Sequence, residues 1–215
     1  MSAGKLITIE GLDGVGKTTL IGTLVQSIRL AGVASVESLR EPGGVGLSER
    51  VRELVKDPSL QVGARAEALL YAAARAQLVQ ELVRPLLQEG TWVLLDRFVD
   101  SSLAYQGAGR SLGFPAIEAI NQFATGELTA DRTLLLRAKL ATGRSRQHER
   151  SDEPDRLERE DEAFFARIAA AYEQLAHAEP QRIRVLDAER PAAEVAEQAL
   201  SALEDLFREA RDGRE

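Results

Sequence analysis

The run Gly11-Leu12-Asp13-Gly14-Val15-Gly16-Lys17-Thr18 fits the pattern G-x-x-x-x-G-K-[ST] at every fixed position. It follows a short β-branched segment, Leu6-Ile7-Thr8-Ile9, and precedes a segment of helical spacing in which Leu20, Leu24, Val25 and Ile28 share one face. Strand, glycine loop and helix start form one unit. The glycines let the backbone wrap closely, so successive N–H groups point into one concavity that holds phosphate oxygens. The following helix adds the positive end of its dipole. Lys17 can reach the β- and γ-phosphates, and the Thr18 hydroxyl can hold a magnesium ion. Gly11, Leu12, Asp13, Gly14, Val15, Gly16, Lys17 and Thr18 are therefore the candidate binding loop for a nucleoside triphosphate.

The rest of the chain repeats the alternation of strand and helix. Weak strand character runs over Val33–Leu39, and stronger over Trp92–Leu95, Thr133–Leu136 and Ile183–Leu186. Helices are predicted over Thr18–Leu30, Leu47–Lys56, Gly63–Leu87, Pro115–Thr125, Glu160–Ala178 and Pro191–Arg208, with a frayed tail from Arg211. Arg40-Glu41-Pro42-Gly43-Gly44 is a loop, because Pro and Gly break either element. This order predicts an α/β fold, a five-stranded parallel sheet with helices on both faces, as one domain over 1–215. Ligands in such sheets lie beyond the carboxyl ends of the strands. The Gly63–Leu87 helix is apolar nearly all round, so two sides of it need cover. The sheet is one cover, and a second subunit is the candidate for the other.

Composition removes several function classes. The 215 residues include no cysteine, which excludes disulfides, thiol catalysis and Cys-ligated metals. Two histidines, His148 and His177, cannot build a multi-His site. A net charge of −7 argues against a nucleic-acid partner. No apolar run approaches the ~20 residues that span a bilayer, so no membrane partner is expected. Met1–Lys5 leads straight into a strand without a signal-peptide pattern, so the cytoplasm is the expected compartment.

Other features narrow the use of the phosphate loop. Asn121, the single asparagine, is followed by Gln122, so the Asn-Lys-x-Asp guanine signature is missing. The Trp92–Leu95 strand ends in Asp96-Arg97 rather than in the paired acids usual in ATP-driven motors. An arginine beside a metal-ligating acid suits a second anion, which points to a phosphorylated acceptor.

Taken together, six blocks resemble the bacterial thymidylate kinase family. They are Glu10 to Thr19, Arg40 to Gly44, Tyr71 to Gln77, Asp96-Arg97-Phe98, Ser101 to Gly107, and Asp155 to Glu158, in the family's order and across roughly residues 5 to 190. The resemblance implies a Rossmann-like, three-layer P-loop kinase that uses ATP and Mg²⁺, takes dTMP as acceptor, and forms a homodimer. It assigns Asp96, with Thr18, to the metal, and Arg97 to the acceptor phosphate. It makes Tyr71 the ring that stacks on thymine and Arg75 a contact to base or phosphate. By the same resemblance Ser102 bonds the base edge, and Tyr105 crowds the place of a ribose 2′-hydroxyl. Gln106 lies in the same block. Asp13 would accept from the 3′-hydroxyl, and Arg40 joins the acceptor site.

The charged stretch 144–159 resembles the family's lid insertion. It carries Arg144, Arg146, Arg150, Arg156 and Arg159 against Glu149, Asp152, Glu153, Asp155 and Glu158. Some family members carry an arginine in the loop directly after the acid, where this chain has Gly14. The missing cation is then expected from the lid, with Arg146 and Arg150 as the candidates. One departure is Leu136-Arg137-Ala138-Lys139-Leu140-Ala141, where the family usually has an acidic residue followed by Pro and Glu. Two other readings stay open at this point: a kinase for another nucleoside monophosphate, and a non-catalytic nucleotide-binding protein on the same scaffold.

Overall fold

The computed structural model describes residues 4–139, 142–143 and 154–212. At its centre β1 (Leu6–Glu10) is buried along all five residues. It pairs in parallel with β3 (Trp92–Asp96) on one side and β4 (Arg132–Arg137) on the other. β2 (Val36–Arg40) adds outside β3, and β5 (Ile183–Asp187) outside β4. The order is β2-β3-β1-β4-β5, all parallel. Parallel strands covered on both faces are buried at nearly every position, as β1, β3 and β4 are.

Alternation along the strands divides the core. Leu6, Val93 and Leu95 pack with Leu78, Val79 and Val83. Ile7, Ile9 and Leu94 pack with Leu20, Leu24 and Ile28 of α1 (Lys17–Leu30). Burying one such side chain contributes ~1.5–3 kcal/mol. Trp92 stacks on Phe207 with ring centroids 5.2 Å apart, joining the start of β3 to the last helix.

Helices follow the predicted positions with three differences. α2 (Gly46–Lys56) is followed by α3 (Ala64–Leu78), which passes through π-helical turns at Val79–Val83 into α4 (Arg84–Gln88). Pro85 lacks the N–H that an α-helix needs there, and the wider turn before it absorbs the mismatch. The Ser101–Gly107 block, left unassigned by periodicity, is helical: α5 (Val99–Ser102) continues as π-helix over Leu103–Gly109. Its glycines are forced by packing, because a Cβ on Gly109 would lie 2.8 Å from the Phe164 ring. The predicted closing helix splits into α8 (Ala192–Ser201) and α9 (Glu204–Asp212). The break lets Leu203, Leu206 and Phe207 all turn inward.

α6 (Phe114–Thr125) starts with Pro115 in its first turn and ends at Gly126 in the left-handed conformation. α7 (Glu162–Ala178) is capped by Asp161, whose carboxylate accepts from Phe164 N at 2.7 Å. Among the described residues no helix is long and apolar enough to cross a membrane.

Candidate active site

The phosphate loop joins the end of β1 to the start of α1. Gly11, Gly14 and Gly16 all have positive φ, 133°, 79° and 102°. At Gly14 a side chain would also run into the backbone carbonyl of Gly143. The Lys17 ammonium folds over the loop and donates to the carbonyls of Gly11 (3.1 Å) and Leu12 (2.8 Å). Burial, with Arg97 adding repulsion, brings its pKa down to about 8 against the pull of Asp13, Asp96 and Glu10. Thr18 is exposed at the helix start. Asp96, at the end of β3, carries a buried Oδ1 that accepts no hydrogen bond from the described residues. A buried carboxylate oxygen left without a donor is costly, and a cation or its bound water satisfies it. Exposed hydroxyl, orphaned carboxylate and open amide loop therefore fit a magnesium nucleotide.

The chain turns sharply after Asp96, and Arg97 takes φ 70°. That conformation is unfavourable for a non-glycine residue. Buried contacts hold it. Glu10, the last residue of β1, is fully buried and accepts from Phe98 N (2.7 Å), Ser101 N (3.3 Å), Ser101 Oγ (2.5 Å) and Tyr172 Oη (2.9 Å). Burial, helped by the nearby Asp100 charge, raises the Glu10 pKa to about 7.

So held, the Arg97 guanidinium reaches back to the phosphate loop. Nη2 donates to Asp13 Oδ1 at 2.7 Å and to Tyr105 Oη at 3.2 Å, and Tyr105 Oη donates to Asp13 Oδ2 at 3.2 Å. The cation also lies 5.0 Å from the Tyr105 ring centroid. Burial works against ionisation of Asp13. The charges of Arg97 and Lys17 outweigh it and hold the carboxyl well below the usual range.

Beyond this cluster a cleft opens between α2, α3 and the 99–109 helix. Asp13, Tyr71, Arg75, Arg97, Ser102, Tyr105 and Gln106 all line it. Arg75 is almost fully buried. Its Nη1 donates to Ser102 Oγ at 2.9 Å and to Asn121, its Nη2 donates to Phe98 O at 3.1 Å, and it pairs with the buried Glu41. Two concavities thus meet at one point. The phosphate loop is on one side and a cationic, aromatic cleft on the other, with Asp13 and Arg97 between them.

A model of the thymidylate kinase family matches residues 9–199. The chain belongs to the thymidylate kinase family. It is 48% identical over 205 residues to "Thymidylate kinase" of Deinococcus radiodurans, covering 95% of this chain and 98% of that one. It is likewise 48% identical over 193 residues to "Thymidylate kinase" of Methylococcus capsulatus, covering 90% and 91%. The crystal structure of thymidylate kinase from Ehrlichia chaffeensis superposes with a TM-score of 0.77 at 26% identity, covering 94% of this chain and 99% of that one.

Most of the residues that the thymidylate kinase resemblance singled out come together at the junction. Arg40 does not line the cleft. Its guanidinium turns to Glu49, with Nη2 at 3.0 and 3.1 Å from the two carboxylate oxygens. Besides Arg75 and Arg97 the cations that line it are Arg52 and Lys56 of α2, an amphipathic helix whose sequence gives no sign of a ligand. The part of the charged stretch that is described is built into the cleft wall: Lys56 pairs with Asp155 at 2.8 Å, and Arg156 with Glu67 at 2.7 Å. Arg144, Arg146 and Arg150 lie outside the described residues. Glu10, Glu41 and Ser101 stand inside the matching blocks but were given no role there, and Tyr172 lies outside every block. For Glu10 a further signal was an acid ending an otherwise apolar strand.

Proposed function

We propose that this chain transfers the γ-phosphoryl group of ATP in line to the phosphate of dTMP, giving dTDP and ADP. The observation that carries the reading is the Arg97–Asp13 contact, which links an acceptor-cleft cation to the donor loop across 2.7 Å. Phosphoryl transfer needs little covalent help from a protein. It needs two polyanions aligned and their charge neutralised. The acceptor phosphate is already nucleophilic near neutral pH, so no strong base is required.

The amides of Gly11 to Thr18 bind the donor phosphates, and Lys17 leaves its loop carbonyls to reach the β- and γ-phosphates. Thr18 and Asp96 are the residues that would hold Mg²⁺, which supplies charge neutralisation on those phosphates when bound. Arg97 grips the acceptor phosphate. Tyr71 stacks on the base, Arg75 and Ser102 meet its edge, Asp13 accepts from the 3′-hydroxyl, and Tyr105 fills the space of a 2′-hydroxyl. Residues 1–215 work as one domain, with 144–159 as a lid insertion. Its Arg146 and Arg150 stabilise the transferring group and supply the cation that Gly14 lacks. The reaction belongs in the cytoplasm.

The chain works as a homodimer. Leu54 of α2, Leu69 of α3 and Phe123 of α6 are 46%, 57% and 93% exposed, and α3 packs against both other helices. Exposed apolar side chains of this size on three helices packed together suit a partner.

A coupled assay of ADP release with dTMP, dUMP, CMP and AMP tests the reading. Release with dTMP well above the other acceptors supports it. Equal or greater release with CMP or AMP transfers the assignment to another monophosphate, and no release with any acceptor removes the kinase reading.

A further inference from the structure

Glu67 of α3 is fully buried and has no role in the site so far beyond its pairing with Arg156. Its carboxylate is nevertheless held by three side chains at once. Arg110 forks onto it, with Nε 3.2 Å from both oxygens and Nη2 3.0 Å from Oε2. Arg156 Nη2 lies 2.7 Å from Oε2. Gln106 Nε2 donates to Oε1 at 2.8 Å. Burying a charge this deeply is costly unless it is fully paired. Two arginines would suffice for that, and the third partner is the one that faces ligand.

Gln106 is 2% exposed and lines the acceptor cleft. An amide side chain can present either end to a ligand. Here the NH₂ end is spent on Glu67, so the carbonyl Oε1, which accepts no hydrogen bond from the described residues, is the end left for the cleft. A fixed acceptor beside the Ser102 hydroxyl suits a base edge that carries an N–H, as the N3 position of thymine does. That position in cytosine carries a lone pair, which would face the carbonyl in repulsion.

We infer that Glu67 is a positioning residue for acceptor recognition: it locks the Gln106 amide with its carbonyl toward the base. Through Arg156 the same carboxylate seats the described end of the proposed lid as part of the cleft wall. Reading the base and seating that wall therefore share one buried charge. This inference rests on the proposed reading of the cleft as the dTMP site.

The test is a cycle of Gln106→Met, Glu67→Gln and the double variant, with KM for dTMP and for ATP measured in each. Gln106→Met keeps the bulk and removes the oxygen. It should raise KM for dTMP about tenfold, the loss expected of one hydrogen bond of discriminating value, with KM for ATP unchanged within about twofold. Glu67→Gln should do the same, and adding it to Gln106→Met should raise KM for dTMP no further. Additive effects, or equal losses for ATP and dTMP, would make Glu67 merely structural and overturn the inference. If Glu67→Gln does not fold, an unchanged KM for dTMP in Gln106→Met alone still overturns it. A wild-type chain that phosphorylates another monophosphate but not dTMP would instead bring down the functional reading, and the inference with it.

Discussion

Arg97 Nη2 sits 2.7 Å from Asp13 Oδ1, and Tyr105 closes the triangle at 3.2 Å to each of them. The donor loop and the acceptor cleft are thereby joined by one charge-assisted bond before any ligand arrives. Both charges are also held ready. Asp13 keeps Arg97 cationic, and Arg97 keeps Asp13 ionised.

Replacing Arg97 by Lys tests whether that fork matters. Lysine retains charge but lacks the planar fork that grips two oxygens in parallel. Turnover with dTMP should fall ~100-fold, while KM for ATP changes little. Steady-state kinetics with each substrate varied in turn will show it.

The pH dependence of donor binding should follow Lys17. Its pKa in the free protein is about 8, below that of an ordinary lysine. The ammonium is the form that binds phosphate, and bound phosphate stabilises it. ATP affinity is therefore full below pH 8 and declines as pH rises through it. Binding there must also take up a proton. Calorimetry in buffers of different ionisation enthalpy measures that uptake, and Lys17→Met should abolish it.

Gly14→Ala should harm the loop on two counts. The backbone there has φ 79°, and the added methyl meets the Gly143 carbonyl. A stability loss of about 1–3 kcal/mol is expected by thermal unfolding, with weakened ATP binding.

Arg146→Ala and Arg150→Ala test the lid. Each should lower turnover at least ~10-fold with little change in ATP affinity, as for an arginine that acts on the transferring group. Single-turnover measurements separate that loss from product release.

Phe123→Glu tests the proposed dimer. The ring is 93% exposed, so the fold loses little. Sedimentation should show a monomer where the parent chain is a dimer.

Sheet, helix order and donor loop were legible because each is written locally: strand period, helical spacing, glycine positions. The cleft proposed for the acceptor was legible only where its lining residues sit in short blocks, as with Asp96-Arg97 and Ser101 to Gln106. Glu10 was not, because what makes it a clamp is Tyr172, 162 positions away. Glu67 reads as a solvent-facing acid in an apolar helix, and only folding brings Arg110 and Arg156 to it. Arg40 shows the opposite case. Its loop position suggested the site, and its side chain pairs with Glu49, nine residues on at no helical spacing from it. The bent closing helix was hidden because Ala202 and Leu203 carry no breaking residue.

The hydrogen-bonded neighbours β1 and β3 lead into the phosphate loop and Asp96-Arg97, with Ile9 in register with Asp96. The residues proposed to face the base hang elsewhere, on α3 and the 99–109 helix. An engineer seeking a kinase for a different pyrimidine or drug precursor can thus rewrite those outer helices and leave the two middle strands, and the chemistry they align, as they are.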